Sequence, residues 1–245
     1  MADKSIISTS MHKAGSTIAD SIIMDILAAK GMELDRIALQ VPASTLSEAE
    51  IFKNYQTQMK ETGVYYGIAR GPYVSDMPIL DKLKVIVQVR DPRDCLTSAY
   101  FSFKKSHVPP KDPEKLKQFM ERRKKLETLD INQYALQESG GYKTRLRILR
   151  ELVRRHDDVL VLKYEDMVER TEQWLEQIAK FVGQPITLAL RDKLAGKIDF
   201  AVDQEDISKH KRQVSPGDHK RKLSEKTIRQ ISDKMADEMA FFGYV

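Results

Sequence analysis

The segment Lys84–Val89 reads KVIVQV and is a short run dominated by β-branched residues. Such a run is typical of a strand that is buried on both faces of a parallel sheet. Parallel strands need crossover connections, which are usually helices, so this segment favours an α/β fold. Further strands are predicted at Ser5–Thr9 and at Val159–Lys163.

Helical patterns separate these predicted strands. The first covers about Ser16–Lys30, where apolar residues recur on one face. The other helices are predicted to begin near Pro92, to end near Arg155, and to cover about 170–182, 187–195 and 224–241. Alternating strands and helices predict a three-layer α/β sandwich with a central parallel sheet of about four or five strands. In such sheets ligands bind at the carboxyl ends of the strands.

Composition limits the class of protein. The chain has 245 residues, 41% hydrophobic and 31% charged, which excludes a disordered or fibrous protein and fits one domain spanning residues 1–245. The 41 basic residues exceed the 36 acidic ones by five, a mild excess that favours anionic ligands without indicating nucleic acid. Cys95 is the only cysteine, which indicates a reducing compartment. With no signal peptide and no apolar stretch of about 18 residues, the sequence predicts a soluble cytoplasmic protein.

The segment Ser10–Thr17 is the first candidate for binding an anion. It lies between the first predicted strand and the first predicted helix, and it contains Lys13, Gly15 and two hydroxyl side chains after them. Backbone N–H groups at a helix N-terminus, together with a lysine and hydroxyls, can cradle a phosphate. It is not a Walker A motif, because Lys13 precedes Gly15. An ordinary capped helix start is the alternative.

Two further polar segments are candidates for the same edge of the sheet. Arg90–Asp94 follows the strand Lys84–Val89, and Ser98 lies eight residues past Arg90, so arginine and serine could converge on one phosphate. A solvated network of Arg and Asp ion pairs is the alternative. Lys209–Lys222 holds six Lys or Arg in fourteen residues, which fits a loop closing over a phosphate or an exposed patch that contacts nucleic acid.

Taken together, the chain resembles the sulfotransferases that use 3′-phosphoadenosine 5′-phosphosulfate (PAPS). In that family a strand–loop–helix motif holds the 5′-phosphosulfate, and Lys13–Thr17 match it. The family's R-[DN]-P-[RK]-D…S motif binds the 3′-phosphate, and Arg90–Asp94 with Ser98 match it. A Y-E-D motif after a strand is matched by Tyr164–Asp166. The resemblance runs from Ser5 to about Phe242 and implies a P-loop NTPase-like sheet.

The late loop of the family, R-K-G-x-x-G-D-W-K, is matched at the same length by Arg212–Lys220. Here the chain departs from the pattern, because Gln213, Val214 and His219 replace Lys, Gly and Trp. These replacements put in question the contacts of this loop with the adenine and the 3′-phosphate, but not the family.

The resemblance implies a nucleotide site that contains Lys13, Ala14, Gly15, Ser16, Thr17, Arg90, Ser98, Tyr164, Phe200, Arg212 and Gly217. When a sulfuryl group is transferred, negative charge builds on the bridging oxygen of the leaving nucleotide. A cation beside that oxygen is bound more tightly in the transition state than in the ground state, and Lys13 is the candidate. Because fixed cations meet this charge, no metal is expected.

A hydroxyl acceptor must also lose a proton, so a general base is expected. Cytosolic members of the family use a His before the strand that ends in R-[DN]-P, but here Arg70 or Gly71 occupies that place. Other branches use a Glu some 20 to 30 residues after the loop lysine. Glu33 and Asp35, which lie 20 and 22 residues after Lys13, are therefore candidates. His107 is a third, because it follows Ser98 in the segment where the family lines its acceptor pocket.

The resulting hypothesis is a PAPS-dependent sulfotransferase that acts on a hydroxyl or amine of a small-molecule acceptor, with no nucleic-acid or membrane partner. A nucleotide-dependent kinase of P-loop architecture and a basic nucleic-acid-binding protein are the alternatives. The sequence leaves the oligomeric state and the acceptor open, although polar residues in 33–80 and 103–140 favour a polar acceptor over a steroid-like one.

Overall fold

The computed structural model describes residues 3–39, 44–106, 109–110, 112–200 and 214–244. Within these ranges, five strands form one sheet in the order β2-β3-β1-β4-β5, and every pairing in it is parallel. The strands are β1 (Ile6–Ser10), β2 (Glu33–Leu34), β3 (Val64–Ala69), β4 (Lys84–Val89) and β5 (Val159–Lys163). The predicted α/β fold with a central parallel sheet is confirmed.

The described residues also form eleven α-helices. They are α1 (Ser16–Ala29), α2 (Glu48–Tyr55), α3 (Pro92–Phe101), α4 (Pro113–Glu127), α5 (Ile131–Arg155), α6 (Tyr164–Glu169), α7 (Thr171–Val182), α8 (Leu188–Ile198), α9 (Asp218–Lys222), α10 (Glu225–Lys234) and α11 (Ala236–Phe241). Among the described residues, no helix combines the length and the apolar character that crossing a bilayer requires.

The chain divides into two compact units. The first contains residues 1–90 and 148–200, and it includes the whole sheet with α1, α2, α6, α7 and α8. The second contains residues 91–147 and 201–245, and it includes α3, α4, the first part of α5, and α9 to α11. The prediction of one domain over residues 1–245 stays a prediction.

The core of the first unit lies between α1, α7, α8 and the sheet. Ile22, Ile23 and Ile26 of α1 are fully buried there, and they pack with Trp174 of α7 and Leu194 of α8. Every residue of β1 is buried, as expected for a parallel strand covered on both faces. This packing fixes the start of α1 directly after the carboxyl end of β1.

In the second unit, α3 begins where the sequence predicts. Asp91 is its N-cap, and its carboxylate accepts the backbone N–H of Arg93, while Pro92 occupies the first turn. The predicted helix over 224–241 is interrupted at Met235, so α10 and α11 are separate helices.

Two leucines of α8 should differ sharply in their effect on stability. Leu194 is fully buried, whereas Leu188 is 82% exposed on the same helix. Leu194→Ala leaves a cavity and should lower the free energy of unfolding by about 2–5 kcal/mol in urea denaturation. Leu188→Ala should change it by less than about 0.5 kcal/mol. Equal losses in the two variants would contradict the packing of α8 on α1.

Candidate active site

The loop between β1 and α1 forms a concave turn, which we call the cradle and define as Lys13–Thr17. Lys13 and Gly15 both have left-handed backbone, with φ of 69° and 73°. Turns of this kind direct successive backbone N–H groups to one side. Among the described residues no side chain caps the start of α1, and the N–H groups of its first turn have no partner within the helix. The cradle can therefore hold an anion.

Gly15 is required where the cradle approaches α6. A Cβ at this position would lie 2.6 Å from Cδ2 and 2.9 Å from Cε2 of the Tyr164 ring. Carbon atoms cannot approach so closely, and the positive φ of Gly15 also disfavours any other residue. Tyr164 is buried and thus forms the floor of the cradle.

Two side chains at the carboxyl end of β4 hold the carbonyl groups of the cradle. Gln88 donates from Nε2 to the carbonyl oxygen of Ala14 at 3.3 Å, and Arg90 donates from Nη1 to that of Lys13 at 3.2 Å. Because β4 pairs with β1 in register, with Gln88 opposite Ser10, these groups lie directly beside the loop. These bonds direct the two carbonyl groups toward β4, which leaves the N–H groups at the start of α1 to face a ligand.

Arg90 has a second role in the same place. Its guanidinium carbon lies 4.0 Å from the centroid of the Tyr164 ring, and only 5% of the residue is exposed. A guanidinium over an aromatic face is a favourable cation–π contact. The structure thus brings Lys13, Gly15, Arg90 and Tyr164 together in the first unit.

The other residues predicted to contact the nucleotide are not part of the cradle. Phe200 packs, partly buried, against the core of the first unit. Ser98 lies on α3 and Gly217 at the start of α9, both in the second unit. Arg212 and His107 lie outside the described residues.

In the second unit, Asp94 holds the end of the late loop. Its buried carboxylate accepts the backbone N–H groups of Gly217 at 2.7 Å and of His219 at 2.9 Å. The same carboxylate lies 2.7 Å from Nδ1 of His219, which is itself buried. His219, which stands where the family has Trp, therefore fixes the start of α9 through a hydrogen bond.

The alternative interpretation of Arg90–Asp94, an ion-pair network, holds for one of its two arginines. Arg93 pairs with Asp91 at 2.6 Å and donates to Ser232 at 3.1 Å, all within the second unit. Both partners of this ion pair are largely buried, so the pair fixes the start of α3 and is not a solvated surface pair. Arg90, by contrast, is directed at the cradle.

Two of the three candidate bases lie in or beside β2. Glu33 pairs in register with Val64, the first residue of β3, and forms an exposed ion pair with Lys60 at 2.8 Å. The structure thus places Glu33 at the amino end of β3 and does not bring it to the cradle. Asp35 accepts a hydrogen bond from the Tyr55 hydroxyl, which raises the pKa of Tyr55 to about 12.

A buried carboxylate that sequence reasoning missed lies on α1. Asp20 is 7% exposed, and its Oδ1 accepts a hydrogen bond of 2.8 Å from the Tyr65 hydroxyl. Burial raises the pKa of Asp20, and the hydrogen bond from Tyr65 opposes that shift. The signal that could have found it is an acidic residue on the apolar face of α1, four residues after Ser16.

Solved structures with the same fold are sulfotransferases and a related enzyme. A mouse sulfotransferase complexed with PAP is 17% identical, with a TM-score of 0.66 over 99% of this chain and 89% of that one. A retinol dehydratase in complex with androsterone and PAP is 16% identical, with a TM-score of 0.55 over 96% of this chain and 80% of that one. At these identities the likeness shows the fold alone.

Among curated proteins, a 3-alpha-hydroxysteroid sulfotransferase from Cavia porcellus is 36% identical over 107 residues. The matched region covers 43% of this chain and 33% of the relative, so the chain spans about a third of the length of that protein.

The family comparison covers most of the chain. The sequence pattern described as "Sulfotransferase domain" matches residues 74–243, a range that contains Arg90, Asp94, Tyr164 and His219. Because this match extends over more than half of the residues, the chain belongs to the sulfotransferase domain family.

Proposed function

We propose that this chain is a sulfotransferase that moves a sulfuryl group from PAPS to a hydroxyl of a small-molecule acceptor. The observation that carries the proposal is the cradle, where left-handed residues and an uncapped helix start form a turn that can hold an anion beside a lysine. Family membership supports the same reaction. The PAP bound in two structures of the same fold supports the donor.

The residues of the cradle fit the phosphosulfate end of PAPS. Gly15 leaves no side chain in the turn, and the buried Ser16 and exposed Thr17 add hydroxyl groups to the N–H groups there. These donors match an anion with several acceptor oxygens. The net positive charge of the chain suits the same ligand.

PAPS supplies the activated sulfuryl group, and the protein supplies position and charge. Lys13 is proposed to stabilise the charge that develops on the leaving nucleotide, a task that needs a fixed cation and not a metal. The amides of the cradle from Gly15 onward would hold the 5′-phosphate, since the Ala14 N–H donates to the Met11 carbonyl at 3.3 Å. Arg90 has five N–H donors, so it can hold the Lys13 carbonyl and also donate to the 3′-phosphate. The roles proposed for Ser98 and Arg212 at the same phosphate rest on the resemblance of their motifs to the family.

The acceptor is proposed to be a small molecule with a hydroxyl group. The curated relative is named for hydroxysteroids, and the retinol dehydratase was crystallised with androsterone. An acceptor screen should therefore contain steroids as well as the polar hydroxyl compounds that the sequence favours.

The cellular setting of this proposal rests on the sequence. We propose one functional domain over residues 1–245 that acts in the cytoplasm, where the single, buried Cys95 would stay reduced. Its partners would be the nucleotide and the acceptor, and neither nucleic acid nor a membrane.

Calorimetric titration with PAP tests the nucleotide site. PAP should bind at least about tenfold more tightly than AMP, because the 3′-phosphate adds charge-assisted hydrogen bonds worth about 1.5–3 kcal/mol each. Arg90→Ala should lose this preference. Arg191→Ala removes an exposed arginine that pairs with Glu172 and should bind PAP as the wild type does. Equal affinity for PAP and AMP, or preference for ATP–Mg²⁺, would contradict the proposal.

Alanine substitutions at Gly15 and Gly31 distinguish two effects on PAP binding, a steric clash in the cradle and the strain of a positive φ. Gly15→Ala should weaken PAP binding at least about tenfold, because its Cβ collides with Tyr164. Gly31 has a similar φ of 83°, but a Cβ there meets nothing within 4 Å. Gly31→Ala should therefore cost about 1 kcal/mol of stability and leave PAP affinity unchanged. Equal loss of PAP affinity in the two variants would show that the cradle is not the binding site.

A further inference from the structure

Asp20 lies on the helix that begins at the cradle. It follows Ser16 by four residues, so it shares a face of α1 with Ser16 and lies about 6 Å further along the helix axis. That face is directed at the sheet, and only 7% of Asp20 is exposed. Burying a carboxylate costs free energy unless it is paired, so a buried Asp at this position indicates a specific role.

The surroundings of Asp20 satisfy one of its two oxygens. Oδ1 accepts the Tyr65 hydroxyl at 2.8 Å, and the Tyr65 oxygen also lies 3.0 Å from Oγ of Ser8. Burial raises the pKa of Tyr65 well above its usual value, so its hydroxyl keeps the proton that it donates. Within the described residues, no donor is placed on Oδ2.

The charges that act on Asp20 come from the ends of two strands. Arg36 follows β2 and Arg70 follows β3, and both favour the ionised carboxylate without forming an ion pair with it among the described residues. Gly67 of β3 lies beside them, and a Cβ there would be 3.9 Å from Oδ1 of Asp20. Desolvation outweighs these charges and raises the pKa of Asp20, which makes the carboxylate a stronger base.

On the basis of the proposed function, we propose that Asp20 is the general base that takes the proton of the acceptor hydroxyl. In this step the acceptor oxygen forms a bond to sulfur while the bond from sulfur to the phosphate oxygen breaks. The electron pair of the broken bond stays on the phosphate oxygen of PAP. The proton of the hydroxyl moves to Oδ2 of Asp20 and is later released to water.

Asp20 fits this role better than the two carboxylates that the family resemblance suggested. Glu33 is exposed and lies at the amino end of β3, opposite the edge that carries the cradle. Asp35 is engaged by the Tyr55 hydroxyl. Asp20, in contrast, receives a hydrogen bond on Oδ1 alone from the part of the chain that the structure describes, and it shares α1 with Ser16 and Thr17 of the cradle.

The first test compares Asp20→Asn with Asp25→Asn. Asn keeps an oxygen for the Tyr65 hydroxyl but cannot take a proton. Asp25, on the same helix, forms ion pairs with Lys193 and Lys197 and serves as the matched control. The acceptor probes are phenol, which stays protonated at pH 8, and 4-nitrophenol, which is largely ionised and needs no base.

We expect the loss of a base to reduce transfer to phenol far more than transfer to 4-nitrophenol. Asp20→Asn should lower kcat/KM with phenol about 100-fold or more, and with 4-nitrophenol by less than about tenfold. Its affinity for PAP should stay within about twofold of the wild type, and Asp25→Asn should match the wild type throughout. Retained transfer to phenol, or equal loss with both probes, would overturn the assignment.

The second test does not depend on turnover. Tyr65→Phe removes the hydrogen bond that lowers the pKa of Asp20, so this pKa should rise. Carboxyl ¹³C titration by NMR, with the Asp20 signal identified by its absence in Asp20→Asn, measures it directly. Since a base works only when deprotonated, the acidic limb of the kcat/KM profile should move to higher pH by the same amount. If the pKa of the Asp20 carboxyl rises but the acidic limb of the kcat/KM profile does not move, Asp20 has a structural role and is not the base.

The two proposals fail in different ways. A wild-type protein that does not bind PAP contradicts the proposed function itself. A protein that binds PAP and transfers to phenol, but whose phenol transfer survives in Asp20→Asn and is lost in Glu33→Gln, contradicts only the role of Asp20.

Discussion

The turn at Lys13 and Gly15 is the feature on which the rest of the site depends. A lysine in left-handed backbone costs about 1–2 kcal/mol and persists only where the surroundings enforce it. Here the enforcement comes from three side chains of the first unit. Gln88 and Arg90 hold two carbonyls of the turn, and the Tyr164 ring supports it from beneath.

The same principle operates in the second unit. Asp94 holds two backbone N–H groups and the ring of His219, so one carboxylate fixes the short helix that follows the late loop. In both units a charged or amide side chain, fixed on a regular element, determines the conformation of a loop. Loops held in this way keep their remaining groups preorganised for a ligand, which is where electrostatic catalysis gains most.

Sequence periodicity predicted the helices and strands that have a regular pattern of apolar or β-branched residues. β4 and β5 have the predicted bounds, and α1 agrees to within one residue, because β-branched runs and a 3.6-residue apolar pattern identify them. β2 was missed since it is only two residues long, and β3 since Gly67 and two tyrosines obscure its pattern. The break at Met235 carries neither Gly nor Pro, so no local signal marked it.

The candidate site was also predicted only in part. Local motifs identified the cradle and the strand-end arginine, but the partners of each group depend on the pairing of β1 with β4, which no local pattern reveals. Gln88 was overlooked for this reason, and Asp20 because its partner Tyr65 lies on β3, whose pairing with β1 is also non-local. Glu33 was selected by its distance along the chain from Lys13, whereas strand register places it at the other end of the sheet.

The most direct test of this account is a titration of the ¹⁵N-labelled protein with PAP, followed through the backbone amide signals. The account predicts that the largest shifts fall on the amides of Gly15, Ser16 and Thr17, because these N–H groups would receive the 5′-phosphate. Saturable binding that leaves these amides unmoved would contradict the central claim that the cradle is the nucleotide site.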